Sequence, residues 1–248
     1  MMDIAGFLLY HPSRQEFTHC PSGSGFEAVV QQHSQNLLRY YERVGSQPKA
    51  VLLYFHGNAG SACDRLPLVS TFEHAHELVV VFAEYPGYSN DASKKNQQSL
   101  TQNALALAHH LKEKHDLPII LMGRSLGSAV ATYVASQTTP KALALVSPLT
   151  SIAEVGRLHY PLPQWIGNKI LKHNVYPANQ WASQVRCPVL LVHGDQDTII
   201  PLSIGQAQEK QFTKAKTRFK VIPGAGHNDI SMFPPYLEHT NRFLGEQL

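Results

Sequence analysis

Three short segments carry residues that could act together on a carbonyl group: "GRSLG" (residues 123–127), "HGDQDTIIP" (193–201) and "GAGHND" (224–229). In the first, Ser125 has a glycine two residues away on either side, an arrangement suited to a sharp turn that holds the hydroxyl up for use. A serine becomes a nucleophile when a base takes its proton, and the base keeps its working tautomer when an acceptor holds its other nitrogen. The chain has fourteen histidines, so residue type alone selects none. His227 is singled out as the base because it sits on a glycine-rich loop directly after a strand-like run. Asp197 is the expected acid. It is favoured over Asp195, which opens the turn after Gly194, where Asp side chains bond local N–H groups. Asp229 reads as a cap for the last helix, with Asn228 as its competitor.

A tetrahedral intermediate also needs two N–H donors aimed at its oxyanion. The amide of Leu126, next after the serine, is one. The amide of Asn58 in "YFHGNAGS" (54–61) is the other, with Ala59 as second choice. A phosphate cradle is disfavoured, since neither a Walker pattern nor G-x-G-x-x-G is present.

These residues must be positioned by something, and the chain supplies it. Six runs, at 50–57, 78–87, 118–123, 142–148, 188–194 and 217–226, are almost continuously apolar and bounded by Gly or Pro. Such runs are expected of parallel strands buried on both faces. Between them lie helical patterns; in residues 96–117, Leu100, Ala104, Leu107, Ala108 and Leu111 share one stripe. His109, His110 and His115 are assigned to that helix's exposed side, and His74 and His76 to a helix end. The short apolar run "FLLYHP" (7–12) reads as a first strand. The alternation implies a doubly wound α/β sheet, whose ligands lie beyond the carboxyl ends of the strands. Ser125, Asp197, His227 and Asn58 all follow such runs.

Residues 151–185 break the rhythm with both tryptophans, three prolines and several aromatics. They read as a small helical, cap-like insertion in a single domain spanning 1–248. Tyr160, Trp165, Ile166 and Ile170 are its candidate pocket walls; gluing the insertion to the sheet is the alternative role.

Composition limits the classes. With 43% hydrophobic and 16% charged residues and a net charge of +3, the chain suits a globular protein and lacks the dense basic stripe of a nucleic-acid binder. Three cysteines, Cys20, Cys63 and Cys187, form no pairing pattern and read as reduced thiols, which makes the cytoplasm the default. No signal peptide or transmembrane segment is visible. Histidine pairs could bind metal, but no metal site is assigned.

The elbow, acid loop and histidine loop, in the order Ser, Asp, His, resemble the α/β-hydrolase superfamily over nearly the whole chain from about Leu8. "FHGNAGS", "EYPGYS" and "GHNDI" are similar, more narrowly, to a small branch that includes eukaryotic protein depalmitoylases and uncharacterised bacterial hydrolases. The resemblance implies a mostly parallel eight-stranded sheet with helices on both faces. It also implies a triad at Ser125, Asp197 and His227, and an oxyanion site at Asn58 and Leu126. The chain departs from that branch in "EYPGYSND", where "YSGYG" is usual, and in lacking an N-terminal cysteine cluster.

The expected activity is hydrolysis of a carboxylic ester or thioester through an acyl-enzyme, on a small-molecule or acyl-group substrate. No metal, cofactor, nucleic acid or obligate protein partner is implied. A peptidase or amidase, a cofactor-free perhydrolase and a non-catalytic binding module are the alternatives.

Overall fold

The structure, a computed structural model, describes residues 10–20, 25–159 and 171–248. In chain order the strands are β1 (His11–Pro12), β2 (Glu27–His33), β3 (Asn36–Val44), β4 (Ala50–Phe55), β5 (Ala59–Gly60), β6 (Leu78–Glu84), β7 (Ile119–Arg124), β8 (Ala142–Val146), β9 (Val189–Gly194) and β10 (Thr217–Ile222). The helices are α1 (Gln97–His115), α2 (Leu126–Gln137), α3 (Ile152–His159), α4 (Ala178–Ala182), α5 (Leu202–Glu209) and α6 (Pro234–Gly245), with a 3-10 helix at Cys63–Thr71.

Eight strands form one sheet in the order β10-β9-β8-β7-β4-β6-β3-β2. The pairs from β10 to β6 are parallel, and β3 and β2 add on antiparallel. This is the mostly parallel eight-stranded sheet that the resemblance implies. All six apolar runs became its parallel strands. The chain runs from β4 to β6 on one side and returns to β7 on the other. The loops after β4 and β7 are therefore neighbours at the carboxyl rim, where the strand order reverses.

The central strands are buried on both faces because their side chains alternate between two cores. In β4, Val51, Leu53 and Phe55 join Leu100, Leu107 and Leu111 of α1 and Val130 and Val134 of α2. Leu52 and Tyr54 point the other way, toward Leu66 and Val69 of the 3-10 helix and Phe243 and Leu244 of α6. Burying each such side chain stabilises the fold by roughly 1.5–3 kcal/mol. The stripe expected in α1 is buried as a unit. A capping box starts that helix: Asn96 accepts from the Ser99 amide at 2.8 Å, and the Asn96 amide donates to Ser99 Oγ at 3.1 Å.

Several expectations need correction. Cys20 and Cys63 are joined by a disulfide, leaving Cys187 as the one free cysteine; the reading of three reduced thiols is overturned. Their separation of 43 residues carries no spacing signal. They meet because β1 pairs with β5, laying the N-terminal segment beside the start of the 3-10 helix. The run read as a first strand contributes only β1, which pairs with β5 apart from the main sheet; residues 7–9 lie outside the described residues. His110 and His115 are not on a solvated face: His110 Nε2 lies 3.0 Å from Tyr40 Oη, and His115 Nε2 lies 2.8 Å from Glu42. Among the described residues, no helix is long and apolar enough to cross a membrane.

Candidate active site

Ser125 stands at the junction of β7 and α2 with φ 54° and ψ −121°, a left-handed conformation that costs a non-glycine residue roughly 1–3 kcal/mol. The surroundings hold it there. Its amide donates to Val146 O of β8 at 2.9 Å, and both neighbouring glycines are required by contact. A Cβ on Gly123 would lie 2.2 Å from Gly127 O, and one on Gly127 would lie 2.1 Å from Phe55 O. The glycine spacing noted in the sequence thus reflects backbone touching backbone. The first N–H groups of α2 lack partners within the helix and give its start a partial positive charge beside the serine.

The structure brings Ser125, His227 and Asp197 together from the ends of three different strands. Ser125 Oγ lies 3.1 Å from His227 Nε2, and His227 Nδ1 lies 2.7 Å from Asp197 Oδ2. With the serine donating to Nε2, the ring's proton sits on Nδ1 and points at the carboxylate. Asp197 is buried, and its other oxygen accepts from the amides of Ile199 at 3.0 Å and Ile200 at 2.8 Å. His193 Nε2 lies 2.7 Å from Ile200 O and 3.5 Å from Asp197 Oδ2. Burial alone would raise the Asp197 pKa. The contacts with His193 and His227, the charge of His227 and the Ile200 amide outweigh that and hold the carboxyl well below the usual range.

The neighbouring acids have other tasks. Asp195 accepts from the Gly224 amide at 2.7 Å, tying the acid loop to the histidine loop. Asp229 does not cap the last helix. Its carboxylate accepts from the Gly226 amide at 2.8 Å and braces the loop just before His227. Helix α6 opens instead at Phe233 with Pro234 in its first turn and no side-chain cap, since proline has no N–H to satisfy. Asn228 Oδ1 lies 3.4 Å from Arg124 Nη2, which also donates to His227 O.

On the opposite wall, a Cβ on Gly57 would sit 3.6 Å from Ser125 Cβ, so the loop after β4 passes directly over the serine. Asn58 and Leu126 share the cleft with Ser125 and His227. The Asn58 carbonyl accepts from Tyr88 Oη at 2.8 Å and from the His11 amide at 3.1 Å. Beneath this loop lies a buried polar set that the sequence did not reveal. Glu84 accepts from the Tyr85 amide at 3.0 Å, the Ala62 amide at 3.2 Å and Ser89 Oγ, and lies 3.2 Å from His56 Nε2. Tyr85 Oη donates to His56 O at 2.7 Å. The backbone of residues 56–62 is thereby held from below.

The cleft has a volume of about 580 Å³. Leu149, Ile152, Val155 and Ile199 contribute apolar lining, and Arg65 and Arg124 contribute charged lining. Residues 152–156 belong to α3, so part of the segment that breaks the strand–helix rhythm does line the cleft. The named wall residues Tyr160, Trp165, Ile166 and Ile170 lie outside the described residues. Trp181 packs edge-on against Tyr133 with ring centroids 5.1 Å apart. It fastens α4 to α2. Arg65, Arg124 and His193 went unassigned at the sequence level; Arg124 and His193 lie at the carboxyl ends of β7 and β9, and Arg65 lies in the 3-10 helix after β5.

Residues 46–180, more than half of the chain, match the Hydrolase_4 family, described as "Serine aminopeptidase, S33". The chain belongs to this α/β-hydrolase family. The hydrolase is 32% identical over 250 residues to an uncharacterized protein of Mycobacterium tuberculosis, covering 96% of this chain and 86% of that one. It is 28% identical over 236 residues to the lysophosphatidylserine lipase ABHD12 of Mus musculus, covering 84% of this chain and 58% of the lipase. Among solved structures, the Pyrococcus furiosus esterase Pf2001 shares the fold with a TM-score of 0.76 at 17% identity, over 95% of this chain and 98% of the esterase.

Proposed function

We propose that this hydrolase cleaves a carboxylic ester or thioester through an acyl-enzyme carried on Ser125. The observation behind this reading is the unbroken line from Ser125 Oγ through His227 to Asp197, at 3.1 Å and 2.7 Å. Ser125 Oγ attacks the carbonyl carbon as its proton passes to His227 Nε2. The amides of Leu126 and Asn58 stabilise the oxyanion, and Asp197 stabilises the imidazolium. Collapse of the intermediate expels the alcohol or thiol, which takes the proton from His227. Water then repeats the sequence, releasing the acid and restoring the serine.

The names of similar proteins, a lipase and an esterase, support an ester. The family description names an aminopeptidase, whose substrates bring an α-ammonium into the site. Two guanidinium groups on the cleft walls repel such a cation, which favours the ester over the peptide. A perhydrolase or amidase would use the same groups, and leaving-group preference resides in the walls. We read residues 1–248 as one domain, with α3 as part of a cap-like insertion at 151–185. The cytoplasmic expectation rested on reduced thiols together with the lack of a visible signal peptide or membrane span. The Cys20–Cys63 bond removes the first of these grounds, since such bonds are characteristic of an oxidising compartment.

Covalent labelling by a fluorophosphonate, located by peptide mapping, is the direct test. Labelling at Ser125 that disappears in Ser125→Ala is expected, together with a rate loss of roughly 10⁴-fold or more on p-nitrophenyl esters. Folded wild-type protein that resists the reagent would overturn the reading.

A further inference from the structure

The charge of the cleft says more about the substrate than its shape. Arg65 reaches it from the 3-10 helix behind the loop of residues 57–60, and Arg124 from the end of β7, next to the serine. Among the described residues, Arg39, Arg218 and Arg242 are each bound to a carboxylate. The two cleft arginines are held differently. Arg65 Nη2 donates to Ala59 O at 3.1 Å, and Arg124 Nη2 donates to His227 O. Those carbonyls orient the guanidinium groups without neutralising them. Asp64, next to Arg65, gives its carboxylate to the Ser61 amide at 2.7 Å and hydroxyl at 2.9 Å; it flanks Gly60 together with the Arg65 guanidinium and offsets part of that charge without an ion pair between them. Asp197 is buried behind His227 and committed to it. The described cleft walls therefore present two cations and no carboxylate, and the positive end of α2 adds to the same field.

Two guanidinium groups at one cleft, with no carboxylate among its described lining residues, give it a positive potential. Each retains N–H donors in the planar fork that fits a carboxylate or phosphate. The same cleft is lined by the aliphatic Leu149, Ile152, Val155 and Ile199. We propose that the substrate is an amphiphilic ester bearing a carboxylate or phosphate close to the scissile carbonyl, with Arg65 and Arg124 receiving the anion and the aliphatic wall receiving the hydrocarbon. Arg65 is the residue to substitute, because Arg124 lies next to the serine and steadies the histidine loop. Arg65 also holds Ala59 O, so the readout is the ratio between charged and neutral ligands, which a loosened loop alone would not shift. This inference rests on the hydrolase reading, and the experiment separates the two.

Binding is measured calorimetrically on the Ser125→Ala protein, which holds esters without consuming them. The ligands are hexyl phosphate, monohexyl succinate and the neutral hexyl acetate. The anions are expected to bind about tenfold or more tightly than the acetate, with the advantage shrinking as sodium chloride is raised. The tighter anion identifies phosphate or carboxylate as the recognised group. Arg65→Gln in the same background is expected to lower the anion-to-neutral affinity ratio about tenfold, and Arg65→Lys to recover part of it. With Ser125 present, the ratio of kcat/KM values for monohexyl succinate and hexyl acetate should follow the same order. Equal affinity for charged and neutral ligands, or a ratio indifferent to Arg65→Gln, overturns the anion site. If Ser125 nevertheless labels and cleaves neutral esters, the hydrolase reading stands alone. If the anions bind through Arg65 while fluorophosphonate leaves Ser125 untouched, the hydrolase reading fails and the anion site stands.

Discussion

Gly127 stands against Phe55 so closely that a side-chain carbon on the glycine would lie 2.1 Å from the Phe55 carbonyl oxygen. One contact therefore sets both sides of the candidate oxyanion site, the first turn of α2 and the loop leaving β4. Gly127→Ala must push them apart. Overpacking of this kind costs about 1–3 kcal/mol of stability, and misplacement by about an ångström costs about 10²-fold in rate. Urea unfolding together with ester hydrolysis measures both. A variant that hydrolyses at the wild-type rate would show that the contact does not govern the site.

The depressed Asp197 carboxyl gives a pH signature. A group whose native pKa lies below its unfolded value of about 3.9 stabilises the fold fully above that value and loses the contribution as pH falls toward the native pKa. The stability advantage of the wild type over Asp197→Asn should therefore be level between about pH 7 and pH 5 and shrink below about pH 4. Denaturant midpoints across this range decide it, and an advantage that grows on acidification would contradict the assignment. The same variant should lose roughly 10⁴-fold in kcat, because an amide no longer enforces the Nδ1-protonated ring.

Thiol counting tests the disulfide. Burial pushes the Cys187 thiol up to about 12, so it is unreactive at neutral pH. Ellman's reagent should detect no thiol in the native protein. It should detect one after denaturation without reductant, and three once Cys20 and Cys63 are also freed. Two further thiols titrating in unreduced, denatured protein would show that the bond does not form.

The buried Glu84 offers a test of how the loop over the serine is supported. Glu84→Ala strands the Tyr85 and Ala62 amides and the His56 ring. Breaking such a set costs about 3–5 kcal/mol when one partner is removed. Glu84→Gln keeps the volume and should recover part of that stability. In both variants fluorophosphonate labelling of Ser125 should slow, because the loop beside it loosens. Labelling at the wild-type rate in destabilised Glu84→Ala would confine Glu84 to the fold.

How far the sequence reveals this molecule depends on where each constraint acts. The strands β4 and β6 to β9 are legible because both of their faces are buried, leaving nearly uninterrupted apolar runs; β10, at the sheet edge and mostly partly exposed, is marked instead by the Gly/Pro loop that follows it. The β2–β3 hairpin is hidden by its place at the sheet edge. Val30, Leu37 and Val44 are 53%, 51% and 56% exposed, so apolar residues on the wrong face blur the alternation. Its turn at Ser34 and Gln35, with Ser34 at φ 52°, lacks the usual Asn-Gly signal. Ser125, Asp197 and His227 stand out because each follows a readable strand. Arg65, Arg124, Glu84 and the Cys20–Cys63 pair do not, because their meaning lies in what faces them across the fold. An arginine beside a cleft and one on a solvated face look alike in one dimension.

The pairing of β1 with β5 makes the wall above the nucleophile a joint product of two distant parts of the chain. His11 emerges from the ribosome well before Asn58, yet its amide finishes the hydrogen bonding of the very loop that covers Ser125. During synthesis the central sheet can assemble while that leading stretch still waits for its place. A shortened protein beginning at Gly25 would keep every rung of the eight-stranded ladder, yet it would lose that roof contact together with the Cys20–Cys63 bond and the buried rings of Tyr10 and Phe17.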